Sequence, residues 1–306
     1  MARGNQTMVT EFLLLGLSET WEVKVLLFVF FLLLYTATLF SNILILSAII
    51  SDHHLSDSPM FFLLGHLAFL DLCMSSFATP RYLFDFLAQR QAISFQGCMA
   101  QIFFLHLFGG GEMFLLIAMA YDRCVAICHP LRYASFMSRR HCIGLVLASW
   151  AGGLLHTSVQ LCFTISVPFC GPNRVDNYFC DIPLVIKLGC TDLYPLEVMM
   201  VTNSGILSLV CFIALLLSYT LILSTVRSRG PKAASTCTSH LIVVTIYFGP
   251  CMFIYLRPDS RFMIDKVLSV FYTSVTPFLN PTVYALKNKE MKAAMGRLLQ
   301  AWLLAR

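Results

Sequence analysis

Charged residues are scarce in this chain of 306 residues: they make up 12% of the sequence, whereas 58% is hydrophobic. A soluble domain carries about a quarter charged residues, so the composition excludes an ordinary soluble protein. No Lys, Arg, Asp or Glu occurs in residues 25–51, 142–173, 198–226, 233–256 and 267–286. Each interval reaches the ~20 residues that cross the hydrocarbon core of a bilayer. Residues 58–80 and 91–121 are equally apolar with a single acid each, so seven membrane spans are predicted.

Other absences exclude particular functions. The last span has no lysine, which excludes a retinal Schiff base at that position. No nucleophile–base pair or metal-ligand spacing lies near either end of the spans, so we expect neither an enzyme nor a metal site. Residues 1–10 lack the apolar core of a signal peptide, so we expect the first span to insert as its own signal. No cysteine follows Cys251, which excludes a palmitoyl anchor near the C-terminus.

The basic residues predict an orientation. With the N-terminus outside, the cytoplasmic segments hold the majority of the 21 Lys and Arg residues, as the positive-inside rule requires. Asn5 begins a glycosylation sequon that functions only on the lumenal side. We therefore expect an extracellular N-terminus over residues 1–22, a seven-helix membrane domain over residues 23–286 and a cytoplasmic tail over residues 287–306. The net charge of +5 indicates attraction to anionic lipids and a cytoplasmic partner, not to nucleic acid.

The tail is predicted to form an amphipathic helix on the inner leaflet, because its apolar residues recur at helical spacing. The predicted apolar face consists of Met291, Ala294, Met295, Leu298 and Trp302, and the basic residues Lys289, Lys292 and Arg297 lie elsewhere on the helix.

Four of the twelve cysteines fall in predicted extracellular positions: Cys98, Cys170, Cys180 and Cys190. An even number of cysteines in an oxidising compartment predicts disulfides, and three connectivities are open. The last three belong to a long loop between the fourth and fifth spans. A disulfide from this loop to the third span would make the loop a lid.

Two acids lie at similar depth near the middle of the membrane. Asp71 is in the second span, about 21 Å along the helix from Asp57, and Glu112 is in the third, about 15 Å from Asp122. Acids within a membrane are usually functional, because their burial is costly. They are expected to hold a cation or to share a proton. The alternatives are that each is only hydrogen-bonded inside the bundle, or that both serve a cation or proton transporter. A transporter should show an internal repeat, and the two halves show no similarity.

Glycine and proline are expected to break the helices locally. Gly109, Gly110 and Gly111 are predicted to interrupt the third span, so that a ligand or another backbone approaches closely; tight helix packing alone is the alternative. Pro250, Pro277 and Pro281 are predicted to kink the sixth and seventh spans.

Six short strings occur in order along nearly the whole chain. They are TEFLLLGL (10–17), PMFFL (59–63), MAYDRCVAICHPLRY (119–133), SY (218–219), KAASTCTSH (232–240) and PFLNPTVY (277–284). Together they closely resemble the olfactory (odorant) receptors of tetrapods, a family of rhodopsin-like G-protein-coupled receptors. The resemblance implies an all-α bundle of seven transmembrane helices with a short amphipathic C-terminal helix.

The resemblance also assigns roles. It implies a plasma-membrane protein of olfactory cilia that raises cAMP through a stimulatory, olfactory-type G protein. It implies that Asp122 holds Arg123 at rest, that Arg123 meets the G protein on activation, and that Tyr219, His240 and Tyr284 belong to the coupling region. It implies disulfides Cys98–Cys180 and Cys170–Cys190. It assigns Asp71, Glu112 and Asn280 to an internal sodium or polar site. Cys124 and His66 depart from the family pattern, and the loop near Cys180 lacks the histidine that some relatives use for copper.

A ligand pocket is expected in the outer half of the bundle, from helical phase and from the match to the family's odorant pocket. The predicted residues are Leu105, His106, Gly109, Gly110, Met113, Asn203, Ser204, Leu207, Phe248, Cys251, Met252, Tyr255 and Thr273. Leu105 stands where amine receptors carry an acid, which favours small neutral odorants. His106, Asn203, Ser204 and Tyr255 could each donate or accept one hydrogen bond, or instead bond to another helix. A receptor for another small non-amine ligand outside the nose is the alternative function.

Overall fold

Seven long helical segments form a bundle in the computed structural model. The structure describes residues 9–88, 90–227, 231–257 and 263–304, and only the backbone of 226, 227, 231–240, 281 and 284–287. The helices are α1 (Trp21–Ser51), α2 (Pro59–Leu87), α3 (Phe95–Cys128), α4 (Arg139–Ile165), α5 (Tyr194–Met200, Val201–Ile206 and Leu207–Arg227), α6 (Pro231–Tyr255), α7 (Met263–Val270, Phe271–Val275 and Thr276–Lys287) and α8 (Lys289–Leu304). A short helical turn, His53–Asp57, joins α1 to α2.

The bundle is closed, with α1 beside α2 and α7, and with α3 in contact with α2, α4 and α5. In the described part, the five helices α1 to α5 are each long and apolar enough to cross a membrane, and α6 has a shorter apolar stretch, Leu241–Tyr255. Large apolar side chains such as Leu26, Leu33 and Phe84 point away from the bundle. Such an apolar outer surface suits contact with lipid.

Two helices contain a wider, π-helical turn that the sequence analysis did not predict. One is Val201–Ile206 in α5, and the other is Phe271–Val275 in α7. Pro277 follows the second turn and has no N–H to donate to the preceding turn. The Phe271 carbonyl accepts both from the Thr276 backbone nitrogen and, at 2.9 Å, from the Thr276 hydroxyl. In α7, Pro277 thus lies next to a change of helical repeat. Such a change is one way in which a helix accommodates a missing hydrogen bond.

A three-stranded sheet covers one end of the bundle. The strands are β1 (Glu11–Leu14), β2 (Ala92–Ser94) and β3 (Arg174–Val175), in the order β2-β1-β3, with β1 antiparallel to β2 and parallel to β3. Phe12 of β1 is fully buried between the rings of Phe95 and Phe169. We call this end the sheet end, and the opposite end, which carries Asp122 and Arg123, the Arg123 end.

α3 and α4 are in backbone contact near the middle of the bundle. A Cβ atom on Gly153 of α4 would lie 2.7 Å from the Leu107 carbonyl oxygen and 2.8 Å from the Gly111 nitrogen. The hydroxyl of Thr157, one turn further along α4, donates to the Phe103 carbonyl at 2.7 Å. The prediction that the glycine triplet interrupts α3 is wrong, because α3 is helical throughout. The predicted close approach of another backbone is confirmed, because the glycines allow α4 to contact α3.

α8 confirms the predicted C-terminal helix. The side chain of Asn288 caps it by accepting from the backbone nitrogens of Glu290 and Met291. Met291 and Ala294 are buried against the bundle, and Met295 packs partly against it. Arg297 forms a 2.7 Å ion pair with Asp52 between α1 and α2, which is a second contact of α8 with the bundle.

A substitution at Gly153 should test the backbone contact. Gly153→Ala places a Cβ against backbone atoms that cannot move aside, and we expect a loss of about 1–3 kcal/mol in stability. The melting temperature of the purified protein and its amount at the cell surface should both fall. Gly144→Ala is the matched control in the same helix, because nothing lies within 4 Å of its Cβ position. Equal melting temperatures for the two variants would contradict the contact.

Candidate functional site

A cavity lies inside the bundle towards the sheet end. The space between its wall atoms amounts to about 520 Å³, part of which is open to solvent. Helices α2 to α7 and the loop between α4 and α5 all contribute to its wall. The lining residues are Met74, Leu105, His106, Gly109, Gly110, Met113, His156, Phe179, Ser204, Ser208, Tyr247, Cys251, Tyr255 and Tyr272. The wall is thus largely apolar and aromatic with a few polar groups, as small-molecule sites are.

Eight of the thirteen residues predicted for the pocket line this cavity. They are Leu105, His106, Gly109, Gly110, Met113, Ser204, Cys251 and Tyr255. Their part in ligand binding stays a prediction, and the structure brings them together in one place.

Five predicted residues are not in the wall: Asn203, Leu207, Phe248, Met252 and Thr273. The amide of Asn203 donates to the His156 carbonyl, so this residue connects α5 to α4. The hydroxyl of Thr273 lies 3.2 Å from that of Tyr178, so it holds the loop. Both polar groups make contacts between elements, and for Asn203 a bond to another helix is the alternative that the sequence left open.

Six lining residues were missed: Met74, His156, Phe179, Ser208, Tyr247 and Tyr272. Tyr247 precedes Cys251 and Tyr255 by one and two helical turns on α6, so helical spacing could have indicated it. Its hydroxyl donates to the Gly109 carbonyl at 2.5 Å. His156 could not be found in this way, because it enters the wall only where α4 packs against the glycines of α3.

The loop between α4 and α5 covers the cavity. Disulfides join Cys98 to Cys180, with Cα atoms 5.5 Å apart, and Cys170 to Cys190, with Cα atoms 5.8 Å apart, so the predicted pairing is confirmed. The side-chain oxygen of Gln101 also accepts from the Cys180 nitrogen at 2.9 Å. The loop contains a buried helical turn, Ile182–Val185, and is therefore an ordered cover attached to α3.

Asp181 is the acid of this cover. Its carboxylate accepts from Tyr255 of α6 at 3.0 Å and from Tyr272 of α7 at 3.3 Å. Burial raises the pKa of Asp181 to about 6, although the hydrogen bonds from Tyr255, the Ile182 nitrogen and Tyr272 oppose the rise. Asp181 therefore joins the loop to two helices through the hydroxyls of residues that line the cavity.

A polar cluster lies deeper in the bundle. Asp71, Glu112 and Asn280 are fully buried, and the Asn280 amide donates to Asp71 Oδ1 at 3.0 Å. Asp71 and Glu112 are close enough to interact electrostatically. Within the described part, both Glu112 oxygens, Asp71 Oδ2 and Asn280 Oδ1 have no hydrogen-bond partner. The structure thus brings the three predicted residues together, with oxygen atoms that suit a hard cation.

At the Arg123 end, Asp122 contacts two side chains. Its Oδ2 is 2.7 Å from the Arg123 guanidinium, and its Oδ1 accepts from the Tyr133 hydroxyl at 2.7 Å. Burial and the Asp122 carboxylate raise the pKa of Tyr133, which keeps this hydroxyl a donor. The sequence indicated no role for Tyr133, because only the fold of the segment after α3 brings it to Asp122.

The structure also places some of the other predicted residues. Tyr219 is buried in α5, and Cys124 is partly buried against the core. His66 makes an edge-to-face contact with Phe62, with centroids 4.7 Å apart. The side chains of His240 and Tyr284, and the whole of Asn5, lie outside the described residues.

Comparison with known proteins identifies the family. A family model described as "Olfactory receptor" matches residues 31–301. The chain belongs to the olfactory receptor family. Olfactory receptor 4K3 of Homo sapiens is 56% identical over 97% of this chain and 96% of its own length. Olfactory receptor 4K14 of Homo sapiens is 56% identical, over 96% of both chains, and olfactory receptor 4E2 of Mus musculus is 52% identical, over 97% of both.

Membership of the olfactory receptor family confirms several predictions. The chain is a multi-pass membrane protein with the seven-helix bundle of G-protein-coupled receptors, and it is not an enzyme. α6 and α7 are therefore spans as well, although their apolar stretches are shorter or interrupted.

Asp181 should make the stability of the olfactory receptor depend on pH. Its pKa rises from 3.8 to about 6 on folding, so the folded state holds the proton more tightly. The tighter binding of the proton stabilises the folded state fully below about pH 4. This stabilisation, about 3 kcal/mol in total, is lost as the pH rises through about 6. Asp181→Asn should abolish it, so the melting temperature of the variant minus that of the wild type should increase from pH 4.5 to pH 6.5, by several degrees.

The control for this measurement is Asp192→Asn, which changes an exposed carboxylate of the same loop. Its melting temperature should follow that of the wild type at every pH. A constant difference between Asp181→Asn and the wild type would show that Asp181 does not titrate in this range.

Proposed function

We propose that this chain is an odorant receptor that binds small neutral volatile molecules in the cavity and raises cAMP through a stimulatory, olfactory-type G protein. One observation carries the proposal. An apolar cavity, covered by a disulfide-linked loop, shares helix α3 with an ion pair at the opposite end of the bundle. A ligand that changes the position of α3, α5 or α6 in the cavity can thereby act on Arg123.

The residues that line the cavity favour a neutral ligand. None of the described residues in the wall is an acid, a lysine or an arginine, so a charged amine or carboxylate would be buried without an ionic partner. Asp181 lies behind the hydroxyls of Tyr255 and Tyr272, which already occupy both of its oxygens. The small volume favours compounds of low molecular weight.

The contacts of Arg123 support a resting latch. Charge-assisted hydrogen bonds are the strong ones, and Asp122 is oriented for Arg123 by the second bond from Tyr133. A G protein that binds the Arg123 end would compete with Asp122 for the guanidinium. We expect His240 and Tyr284 to act near this site and Tyr219 to rearrange beside it.

The sheet end is proposed to face outwards. Both disulfides lie there, as an oxidising compartment requires. With this orientation Asn5 is a glycosylation acceptor, and the receptor resides in the plasma membrane of olfactory cilia, with membrane lipids around α1 to α7 and no nucleic-acid partner.

The signalling prediction uses two variants in a cAMP assay against a broad odorant panel. Arg123→Ala should remove at least about 90% of the ligand response, because the group that meets the G protein is lost. Tyr133→Phe should raise basal cAMP roughly threefold to tenfold, because Asp122 loses the hydrogen bond from Tyr133 and holds Arg123 less firmly.

Tyr121→Phe is the matched control, since Tyr121 is an exposed tyrosine at the same end of α3. It should change neither basal nor ligand-induced cAMP. All comparisons use cells with equal receptor at the surface. A wild-type receptor at the surface that responds to no member of the panel would refute the odorant-receptor proposal, and a full response in Arg123→Ala would refute the role of Arg123.

The proposal includes a sodium ion between Asp71 and Glu112. The support is the set of buried oxygens without partners in the described part, which an ion could neutralise. Sodium chloride should raise the melting temperature of the purified receptor above its value in choline chloride at equal ionic strength. Asp71→Asn should abolish this difference, whereas Asp192→Asn should retain it. No effect of sodium on the wild type would exclude the ion.

A further inference from the structure

The contacts of His106 determine its tautomer and its charge. Its Nδ1 lies 2.9 Å from the Ile102 carbonyl oxygen, which can only accept, so Nδ1 carries the proton. The side chain is nine-tenths buried and has no carboxylate hydrogen bond among the described contacts, so the imidazole is neutral. Its Nε2 is therefore a bare lone pair. This atom is buried and has no partner in the described part of the chain.

The tyrosines of the cavity are acceptors as well. Tyr247 donates its proton to the Gly109 carbonyl, and Tyr255 and Tyr272 donate theirs to the Asp181 carboxylate. Because each hydroxyl has one proton, the three oxygen atoms have only lone pairs left for a ligand.

One of the two serines in the wall directs its proton elsewhere. The Ser208 hydroxyl is directed at the sulfur of Met113 at 3.9 Å. Ser204 accepts from the Gln160 amide and keeps one proton, so it is the exception. Taken together, the polar groups of the wall mostly accept hydrogen bonds.

We propose that the cavity selects neutral hydroxyl compounds, alcohols and phenols, over ketones, aldehydes and ethers of the same carbon skeleton, because the ligand hydroxyl donates to His106 Nε2. The inference rests on the proposed function and names its ligand class. A carbonyl or ether oxygen would face a lone pair and leave Nε2 unsatisfied, which is costly for a buried acceptor. Thiols are weak donors, and ammonium groups find no acid in the wall.

A second histidine favours the same ligand class. His156 stacks on His106 with ring centroids 5.7 Å apart, and its Nδ1 also has no partner in the described part. A hydroxyl group both donates and accepts, so after donating its one proton to His106 it can still accept from His156 in the tautomer that carries the proton on Nδ1. A ketone or an ether could accept from His156 but could not donate to His106.

The test compares ligands that differ only in the polar group. The probes are cyclohexanol, cyclohexanone and cyclohexyl methyl ether; benzyl alcohol, benzaldehyde and benzyl methyl ether; and menthol, menthone and menthyl methyl ether. Half-maximal concentrations are measured by cAMP in cells, and binding by the thermal shift of purified receptor. In every set that binds, the hydroxyl member should act at a concentration at least about tenfold lower than the other two.

Variants of His106 assign the effect to its ring. His106→Phe should bring the members of each set to within about twofold of one another, because the lone pair is lost. His106→Gln should keep part of the preference, since its side-chain oxygen accepts. His141→Phe is the matched control: this histidine is exposed on α4 near the Arg123 end, and the preference should be unchanged.

The outcomes separate this inference from the proposed function. Ketones or ethers as potent as the alcohols in the wild type would overturn the inference, while the odorant-receptor proposal would stand. An unchanged preference in His106→Phe at normal surface level would overturn the role of His106. Neither a cAMP response nor a thermal shift from any probe, with receptor at the surface, would overturn both. If His106→Phe fails to reach the surface, the wild-type comparison and His106→Gln decide the question.

Discussion

The backbone contact between α3 and α4 is the constraint on which the rest of the structure depends. Gly110 and Gly153 bring the two helices together, with Cβ positions that backbone atoms of the other helix crowd. α3 thereby becomes the central helix, with neighbours on several sides. It carries Cys98 at the sheet end, His106 in the cavity, Glu112 in the polar cluster and Arg123 at the opposite end. A single rigid element thus connects every candidate site.

Some polar groups in this apolar bundle form hydrogen bonds across helices, and others that have no partner in the described part lie at candidate sites. The Asn42 amide donates to the Pro277 carbonyl, and the Thr157 hydroxyl donates to the Phe103 carbonyl. The Gln160 amide donates to the Ser204 hydroxyl. Each bond joins two helices where the apolar surroundings offer no water, so it favours one arrangement of the bundle. The buried atoms without a partner in the described chain include those of Glu112 and His106. An ion would be the missing partner of Glu112, and a ligand hydroxyl would be that of His106.

The sequence predicted the fold better than the site. Uncharged intervals of sufficient length indicated seven spans because the bilayer excludes charge, and the apolar spacing around Met291 indicated α8 because a helix has a fixed period. The disulfide pairing needed the family resemblance, since spacing left three connectivities. Helical phase found all five α3 residues that line the cavity. It failed for Asn203 and Thr273, whose phase was suitable but whose partners lie on other elements.

By itself, the sequence determined the features that depend on local chemistry: where helices cross the membrane, which end carries the ion pair, and which residues share a helical face. Tertiary structure alone decided which partner each polar group has. The pairing of β1 with β2 and β3, the bond from Tyr133 to Asp122 and the use of the tyrosine protons by Gly109 and Asp181 all join distant segments. A hydrogen bond needs atoms within about 3 Å. Only the packed bundle sets such distances, and with them the donor or acceptor character of the cavity wall.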